Sequence, residues 1–323
     1  MRLLVTGGAG FIGSNFVRRA LEFGEVTEIV VLDSLTYAGR ESNLNGVIDA
    51  VRLVKGDIRD EALVNALVED SDVVVNFAAE THNDNSLEHP QVFFETNVLG
   101  TLALVQACVS HDVRLHHIST DEVFGDFPLG SKEKFDRESP YKPSSPYSAS
   151  KASADHIVRA WTRSFGLRAT ISNCSNNYGP FQHEEKLIPR TILNAVFGMK
   201  PKVYGTGLNV RDWIHVDDHN DGILAILNRG QIGQTYLLGA QSERTNLQVV
   251  QAILGTLGLP EDFFEFVRDR SGHDLRYGID ATETSNELGW QPIKGKFEAV
   301  LPEVVNHYLR RIEQGELTRD NVK

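Results

Sequence analysis

The chain has 323 residues, of which 41% are hydrophobic and 24% are charged, and its formal net charge is −12. This composition is typical of a globular protein that can bury a sizeable core in one large or two smaller domains. The negative charge argues against a nucleic-acid partner, so any phosphate recognition must be local.

The sequence gives no indication of a membrane or metal partner. No uninterrupted apolar run approaches the roughly 20 residues of a membrane span, and the start does not resemble a signal peptide. Cys108 and Cys174 lie far apart and have neither metal-binding nor redox spacing. We therefore expect a soluble, cytoplasmic protein without a structural disulfide.

Short β-branched runs alternate with helical patterns through the first half of the chain. The predicted strands are residues 3–6, 28–32, 51–54, 73–77, 115–119 and 169–172. The predicted helices are residues 14–23, 61–68, 93–109 and 148–165. This alternation predicts an α/β fold, a Rossmann-type doubly wound parallel sheet with helices on both faces.

The pattern becomes irregular after Pro180, where isolated strands are predicted near residues 202–204 and 235–238. We expect residues 1–175 to form an NAD-binding domain. Residues 176–323 should form a smaller, mixed α/β domain that mainly binds substrate, with room for the chain to cross back to the first domain. The cleft between them is the expected ligand site.

The first predicted strand leads directly into a glycine-rich turn and then a helix. Gly7, Gly10 and Gly13 have the spacing G-x-x-G-x-x-G, with Phe11 and Ile12 between the last two. Glycine allows a tight turn and a close backbone approach to a pyrophosphate, which the free N–H groups of a helix N-terminus attract. With a strand before and a helix after it, this loop predicts a dinucleotide site.

Asp33 ends the second predicted strand, about twenty residues beyond the glycine loop. A carboxylate there can accept hydrogen bonds from the adenosine ribose, which favours NAD over NADP. Arg40 weakens this preference, because an arginine could pair with a 2′-phosphate. The alternative is that Asp33 only stabilises the turn after the strand.

Tyr147 and Lys151 are four residues apart in a predicted helix and would share one face. A nearby ammonium should lower the pKa of the phenol, so that Tyr147 could take a proton from a substrate hydroxyl. Such a pair often occurs by chance, but here it follows a glycine-rich loop and a strand that ends in Ser119 and Thr120. We therefore interpret it as catalytic.

The glycine loop, the strand end at Ser119 and Thr120, and the Tyr147 and Lys151 pair together resemble the extended short-chain dehydrogenase/reductase family. This family includes epimerases, dehydratases and decarboxylases. Within residues 119–125, Asp121 and Glu122 follow Thr120, and this pair of carboxyls resembles the dehydratase branch because an epimerase needs no adjacent acid and base. The similarity extends over residues 32–39, 78–82, 174–180, 185–189, 210–213 and 272–274.

The resemblance implies a nucleotide-sugar 4,6-dehydratase with NAD as cofactor and dTDP-glucose as substrate. Tyr147 would remove the 4-hydroxyl proton while Lys151 holds the cofactor ribose, and Thr120 would hydrogen-bond the developing ketone. Glu122 would take the proton from carbon 5, and Asp121 would protonate the departing 6-hydroxyl. Burial and mutual repulsion can keep one of two adjacent carboxyls protonated, which suits these roles.

The resemblance also implies the binding residues. The cofactor site would comprise Gly7, Gly10, Phe11, Ile12, Gly13, Asp33, Ser34, Leu35, Thr36, Gly39, Asp57, Ile58, Phe77, Ala78, Ala79, Thr81, Thr96, Tyr147, Lys151 and Asn177. The substrate site would comprise Thr81, Thr120, Asn176, Lys186, Leu187, Lys202, Val203, Tyr204, Arg211, Asn246, Arg270 and His273. A homodimer is implied through the apolar faces of the helices at residues 93–109 and 148–165.

Three positions depart from the pattern of many family members. Asn85 and Asn173 stand where an arginine is common, and Phe124 stands where a tyrosine is common. These departures spare the predicted catalytic groups but change the polar surroundings. Two other functions stay open: a 4-epimerase, or a non-catalytic NAD-binding regulator that keeps the fold. A 4,6-dehydratase acting on another nucleotide sugar is a third alternative.

Overall fold

A computed structural model describes residues 1–269 and 272–322 of the chain. The strands are β1 (Arg2–Thr6), β2 (Glu28–Asp33), β3 (Arg52–Lys55), β4 (Val73–Asn76), β5 (Arg114–Thr120), β6 (Ala169–Cys174), β7 (Asn176–Tyr178), β8 (Lys202–Tyr204), β9 (Val210–His215), β10 (Thr235–Leu238), β11 (Glu243–Thr245) and β12 (Glu265–Val267). All eight strands predicted from the sequence are present, with ends that differ by at most two residues.

The helices lie between these strands. They are α1 (Phe11–Glu22), α2 (Glu61–Glu69), α3 (Asn83–Glu88), α4 (Pro90–Phe94), α5 (Gly100–Ser110), α6 (Pro146–Phe165), α7 (Leu187–Val196), α8 (Val216–Arg229), α9 (Asn246–Thr256), α10 (Thr282–Leu288) and α11 (Phe297–Glu313). The predicted helix at residues 93–109 is one continuous helical segment in which a π-turn, Glu95–Leu99, joins α4 to α5. A 3₁₀ turn, Asp121–Phe124, directly follows β5.

Seven parallel strands form the central sheet in the order β10-β6-β5-β4-β1-β2-β3, which confirms the predicted doubly wound fold. The edge strand β10 comes from the second half of the chain and pairs with β6. Two small sheets lie outside it, one of β11, β9 and β7 and one of β12 and β8. The smaller mixed α/β region expected after the main sheet is therefore present.

Alternate residues of the central strands are buried on opposite faces of the sheet, because successive side chains of a strand point in opposite directions. Leu3 and Val5 of β1 pack in the cluster that contains Phe16 of α1. Leu4, between them, packs in the cluster that contains Leu104 of α5. Helices thus cover both faces and leave the carboxyl ends of the strands to form the site.

One helical segment has the length and mean hydropathy of a membrane span, although polar residues interrupt its sequence. Pro90–Ser110, at 21 residues, is long and apolar enough to cross a membrane by length and composition, and it is the one such helix within residues 1–269 and 272–322. Half of its most apolar window is buried inside the protein, where α5 packs against α2 and α6. A core helix passes the same test, so the segment is weak support for a membrane span.

Candidate active site

A cavity of about 410 Å³ opens at the carboxyl ends of the central strands. Its walls come from both halves of the chain, since Gly7 and Tyr147 line it together with Asn176 and Lys186. In an open parallel sheet, ligands bind at this edge. The cavity lies where the cleft was predicted, and its size suits a cofactor or small ligand.

The glycine loop forms the floor of the cavity because side chains would not fit there. Gly7 has a φ of +67°, and a Cβ on it would lie 2.6 Å from the backbone nitrogen of Ala78. A Cβ on Gly13 would overlap the carbonyl oxygen of Gly7. Helix α1 begins at Phe11, so its first N–H groups face the space that the glycines leave open.

Asp33 is held by the backbone at the end of β2. Its two carboxylate oxygens accept hydrogen bonds from the N–H groups of Ala9, at 2.9 Å, and Leu35, at 2.8 Å. Burial raises the pKa of Asp33, and these two hydrogen bonds oppose that shift. Gly39 packs so closely on the carboxylate that a Cβ would overlap it. The carboxylate is therefore fixed and still lines the cavity, where it can accept ribose hydroxyls.

The residues that line the cavity are suited to bind NAD as the cofactor. Every predicted cofactor residue except Leu35 lines the cavity: Gly7, Gly10, Phe11, Ile12, Gly13, Asp33, Ser34, Thr36, Gly39, Asp57, Ile58, Phe77, Ala78, Ala79, Thr81, Thr96, Tyr147, Lys151 and Asn177. The side chain of Leu35 instead packs against the core, and its backbone has a φ of 51°. Leu35 contributes to the site through the N–H that it donates to Asp33.

Tyr147 and Lys151 lie one turn apart at the start of α6 and both face the cavity, as predicted. The helix begins with a capping box at Ser145, whose side chain and that of Ser148 bond each other's backbone N–H groups. The Lys151 Nζ donates to the carbonyl oxygen of Ile118 at 2.7 Å. The side chain is thus fixed at the end of β5.

The expected lowering of the Tyr147 pKa by Lys151 is not seen. Burial raises the pKa of Tyr147 well above its usual value, and the negative charge of Glu122 raises it further. A hydrogen bond with Thr120 opposes these effects. Burial also lowers the pKa of Lys151, although the Asp155 carboxylate opposes this. The raised pKa favours the neutral phenol of Tyr147.

The last residue of β5, Thr120, and the turn that follows it place Thr120, Asp121 and Glu122 against the cavity. Asp121 is 1% exposed, and burial followed by repulsion from Glu122 raises its pKa well above the usual value. Its Oδ2 has no hydrogen-bond partner in the part of the chain that the structure describes. Glu122 Oε2 instead accepts a hydrogen bond from the Asn83 amide at 2.8 Å. The two carboxyls thus have different surroundings, as an acid and a base require.

A buried network of hydrogen bonds around Asp155 holds this turn in place. Asp155, one helical turn beyond Lys151, accepts hydrogen bonds from Ser119 at 2.8 Å, Tyr141 at 2.7 Å and Asn173 at 3.3 Å. The amide of Asn173 also donates to the Thr120 carbonyl at 3.0 Å. The unusual asparagine at position 173 is therefore part of the support for the turn. Of the other departures, Phe124 stacks on Phe135 in an aromatic cluster.

The predicted substrate residues fall into two groups. Thr81, Thr120, Asn176 and Lys186 line the cavity, where Lys186 Nζ donates to the Thr81 carbonyl at 3.1 Å. The cavity lining does not include Leu187, Lys202, Val203, Tyr204, Arg211, Asn246 or His273. Arg270 lies outside the described residues.

Within the second group, two side chains have structural roles that the sequence did not indicate. Val203 is buried with Val250 and Leu254, so its side chain faces the core. Arg211 is also buried, and its guanidinium stacks over the Tyr277 ring at 4.1 Å and donates to the Asp274 carbonyl. It lies close enough to Asp121 to oppose the rise of that pKa. Arg211 therefore lies beside the turn that carries Asp121.

Sequence reasoning missed one wall of the cavity. Gln182, His183 and Glu185 line it, although no motif singled out the first two. These residues precede Lys186 in a loop whose fold depends on contacts with distant helices. The available signal was a run of four polar or charged residues, 182–185, between Pro180 and the predicted lysine.

A dinucleotide site and an acid–base cluster that open into the same cavity define an NAD-dependent enzyme of the short-chain dehydrogenase/reductase class. A protein-family model described as GDP-mannose 4,6 dehydratase matches residues 4–304. The chain belongs to this family.

The chain is similar to two dTDP-glucose 4,6-dehydratases and, less closely, to a 4-epimerase. The chain is 58% identical to a dTDP-glucose 4,6-dehydratase of Mycolicibacterium smegmatis over 308 residues, 95% of this chain and 93% of that protein. A crystal structure of a Streptomyces venezuelae dTDP-glucose 4,6-dehydratase with NAD bound has a TM-score of 0.94 at 44% identity, covering 97% of this chain and 98% of the other. A Thermus thermophilus UDP-glucose 4-epimerase is more distant, at 29% identity and a TM-score of 0.87 over 96% and 99% of the two chains.

Proposed function

We propose that this chain is a dTDP-glucose 4,6-dehydratase, an NAD-dependent hydro-lyase that forms dTDP-4-keto-6-deoxyglucose for deoxysugar biosynthesis, such as that of dTDP-rhamnose. The observation that carries the proposal is the pair Asp121 and Glu122, two carboxyls with different surroundings beside Tyr147. An elimination of water needs one acid and one base at the same sugar. The high identity to dehydratases over nearly the whole chain supports the same assignment.

Each catalytic side chain has a role that suits its surroundings. NAD, when bound, supplies the acceptor for the hydride of carbon 4, its return to carbon 6, and a cationic ring that lowers the pKa of a nearby phenol. Tyr147 takes the proton of the 4-hydroxyl, and Thr120 hydrogen-bonds the oxygen that becomes a ketone. Glu122 then removes the acidified proton of carbon 5 and returns a proton to that carbon when carbon 6 is reduced. Asp121, kept protonated by burial, donates its proton to the departing 6-hydroxyl.

The substrate assignments rest on the cavity and on family positions. Lys186 places an ammonium beside Thr81, where a sugar diphosphate could replace the Thr81 carbonyl as its partner. Asn176, whose buried Oδ1 has no hydrogen-bond partner within the described residues, is suited to bind a sugar hydroxyl. We assign the remaining predicted positions to the nucleotide end, Val203 through its backbone alone because its side chain packs in the core. In this division residues 1–175 mainly hold NAD and residues 176–323 mainly hold substrate.

One incubation separates the candidate functions. With dTDP-glucose, a dehydratase gives a 4-keto-6-deoxy product, a 4-epimerase gives dTDP-galactose, and a regulator gives neither. Parallel reactions with UDP-, GDP- and CDP-glucose determine the nucleotide preference. A faster reaction with any of these than with dTDP-glucose would contradict the proposed substrate, and tighter binding of NADP than of NAD would contradict the role of Asp33.

We also propose a cytoplasmic homodimer. Near the helix Pro90–Ser110, the side chains of Leu87, Val92, Phe94 and Leu99 are 36–54% exposed. An exposed apolar patch on a helix pair is typical of a protein interface. α6 packs beside this segment, so that both helices predicted to pair are adjacent. Light scattering of the purified protein would measure the mass of the assembly.

A further inference from the structure

A loop from the second half of the chain, residues 181–186, crosses one side of the cavity, and we call it the strap. Gln182, His183, Glu185 and Lys186 line the cavity from it. Its base is anchored to α11, because the Phe181 N–H donates to His307 Nε2 at 3.2 Å and the Tyr308 hydroxyl donates to the Gln182 carbonyl at 2.7 Å. The strap is therefore held by the C-terminal helix and reaches over the sheet edge.

An ion pair joins the strap to the half of the chain that carries the glycine-rich loop. Arg40 Nη1 and Nη2 donate to the two carboxylate oxygens of Glu184 at 2.7 and 2.8 Å. Glu184 is 3% exposed. Burial would raise its pKa, but the hydrogen bonds from Arg40 hold that pKa below its usual value. A bidentate pair with one member buried is stronger and more specific than a surface pair.

Arg40 is in turn bonded to the segments that form the adenosine end of the site. Its backbone N–H donates to the Ala9 carbonyl at 3.0 Å, in the glycine-rich loop. The neighbouring Gly39 packs against the Asp33 carboxylate. The pair thus joins the strap to the two segments that hold a dinucleotide, although neither Arg40 nor Glu184 lines the cavity itself.

We propose that the Arg40–Glu184 ion pair is a latch that keeps the strap closed over the adenosine end of the cavity and slows the dissociation of NAD. Both are positioning residues in this role. The inference rests on NAD being the cofactor of the proposed function. That reaction has no net redox change, so one bound cofactor serves every turnover and slow dissociation has a direct use. The pair also occupies the guanidinium that could otherwise bind a 2′-phosphate.

The test measures NAD dissociation without any sugar. The holoenzyme is loaded with isotopically labelled NAD, an excess of unlabelled NAD is added, and the label that stays with the protein is followed by rapid gel filtration. Glu184→Gln removes the charge and keeps the shape of the side chain. We expect its dissociation rate to rise at least about tenfold, which corresponds to about 1.4 kcal/mol. Arg40→Lys, which keeps the charge but not the fork, should give a smaller rise.

The matched control is Asp221→Asn. Asp221 also joins the two halves of the chain by a bidentate pair, with Arg19 Nε at 2.8 Å and Nη2 at 2.6 Å, but neither residue lines the cavity. This variant should release NAD within about twofold of the wild-type rate, within the spread expected for a surface substitution. An equal effect in Asp221→Asn would overturn the latch, because it would show a general effect of weakened domain contact.

The remaining outcomes also decide the matter. If Glu184→Gln and Arg40→Lys both release NAD at the wild-type rate, the pair is not a latch. If Glu184→Gln fails to fold, Arg40→Lys decides alone, since it leaves Glu184 opposite a positive charge. Failure of the wild-type protein to bind NAD would refute the proposed function as well as the latch. If the wild-type protein binds NAD and the variants release it equally slowly, only the latch is refuted.

Discussion

Replacing Asp121 with Asn should slow the elimination of the 6-hydroxyl and leave the earlier steps largely intact. Asp121 is 1% exposed, and burial together with repulsion from Glu122 raises its pKa. A raised pKa favours the protonated carboxyl, which can donate to a leaving hydroxyl. An asparagine has the same shape but no acidic proton. Loss of a general acid typically costs about 10²- to 10⁴-fold in rate, or about 3 to 5 kcal/mol of barrier.

The assay uses a substrate that does not need the acid. In dTDP-6-deoxy-6-fluoroglucose the leaving group is fluoride, which departs without a proton. Asp121→Asn should therefore turn over this analogue within about tenfold of the wild-type rate, while its reaction with dTDP-glucose falls by at least about 10²-fold. Exchange of the carbon-5 proton with deuterated solvent should persist in the variant, because Glu122 is intact.

The matched control is Glu122→Gln, which removes the base and leaves the acid. This variant should lose both the carbon-5 exchange and the product, and fluoride should not rescue it. Rescue of Glu122→Gln by the fluoro substrate, or equal rescue of both variants, would refute the assignment of acid and base. The assignment of the chain as a dehydratase could survive that result.

Three further predictions test other parts of the argument. Tyr147→Phe should lower the rate of oxidation at carbon 4 by at least about 10²-fold in single-turnover measurements, and near-normal turnover would remove Tyr147 from the mechanism. Burial lowers the pKa of His215 from 6.5 to about 4, so unfolding binds a proton in that window and stability falls as pH decreases from 6.5 to 4, by about 3 kcal/mol at most. Denaturant titrations of His215→Asn should show a weaker pH dependence, and an unchanged one would contradict this cause. Leu99→Glu should dissociate the proposed dimer in light scattering, whereas Ile293→Glu, at an even more exposed site, should not.

The central sheet was predictable because its signals are local. Several strands of the first half are short runs rich in apolar residues, such as the fully buried Val73–Asn76, between residues that favour turns or helices. The glycine loop and Asp33 could be placed for the same reason, since the order of a parallel sheet brings strand ends to one edge. The Tyr147 and Lys151 spacing needs only a helix to bring both groups to one face.

What the sequence left open depends on contacts between distant segments. β10 joins the main sheet from residue 235 onward, and its four residues carry no signal for the strand they will pair with. The pairing of Arg40 with Glu184 joins residues 144 positions apart, so neither residue alone indicates it. Leu35 was assigned to the cofactor although its side chain packs on the core, because a motif fixes a position but not a side-chain direction.

The direction of the Tyr147 pKa shift also could not be predicted from the sequence. Sequence spacing placed a positive charge next to the phenol, which alone would lower the pKa. It could not show that the phenol is 8% exposed, or that the ammonium of Lys151 donates to the Ile118 carbonyl. In the folded protein burial, followed by the negative charge of Glu122, raises the pKa of Tyr147.

Adjacent carboxyls can serve as acid and base because one turn places them in different surroundings. Asp121 points into the protein, where burial penalises its charge and its Oδ2 meets no donor in the described part of the chain. Glu122 receives a hydrogen bond from the Asn83 amide, which favours a carboxylate. The negative charge of Glu122 adds to the effect of burial in raising the pKa of Asp121, so the base favours the protonated form of the acid that acts after it.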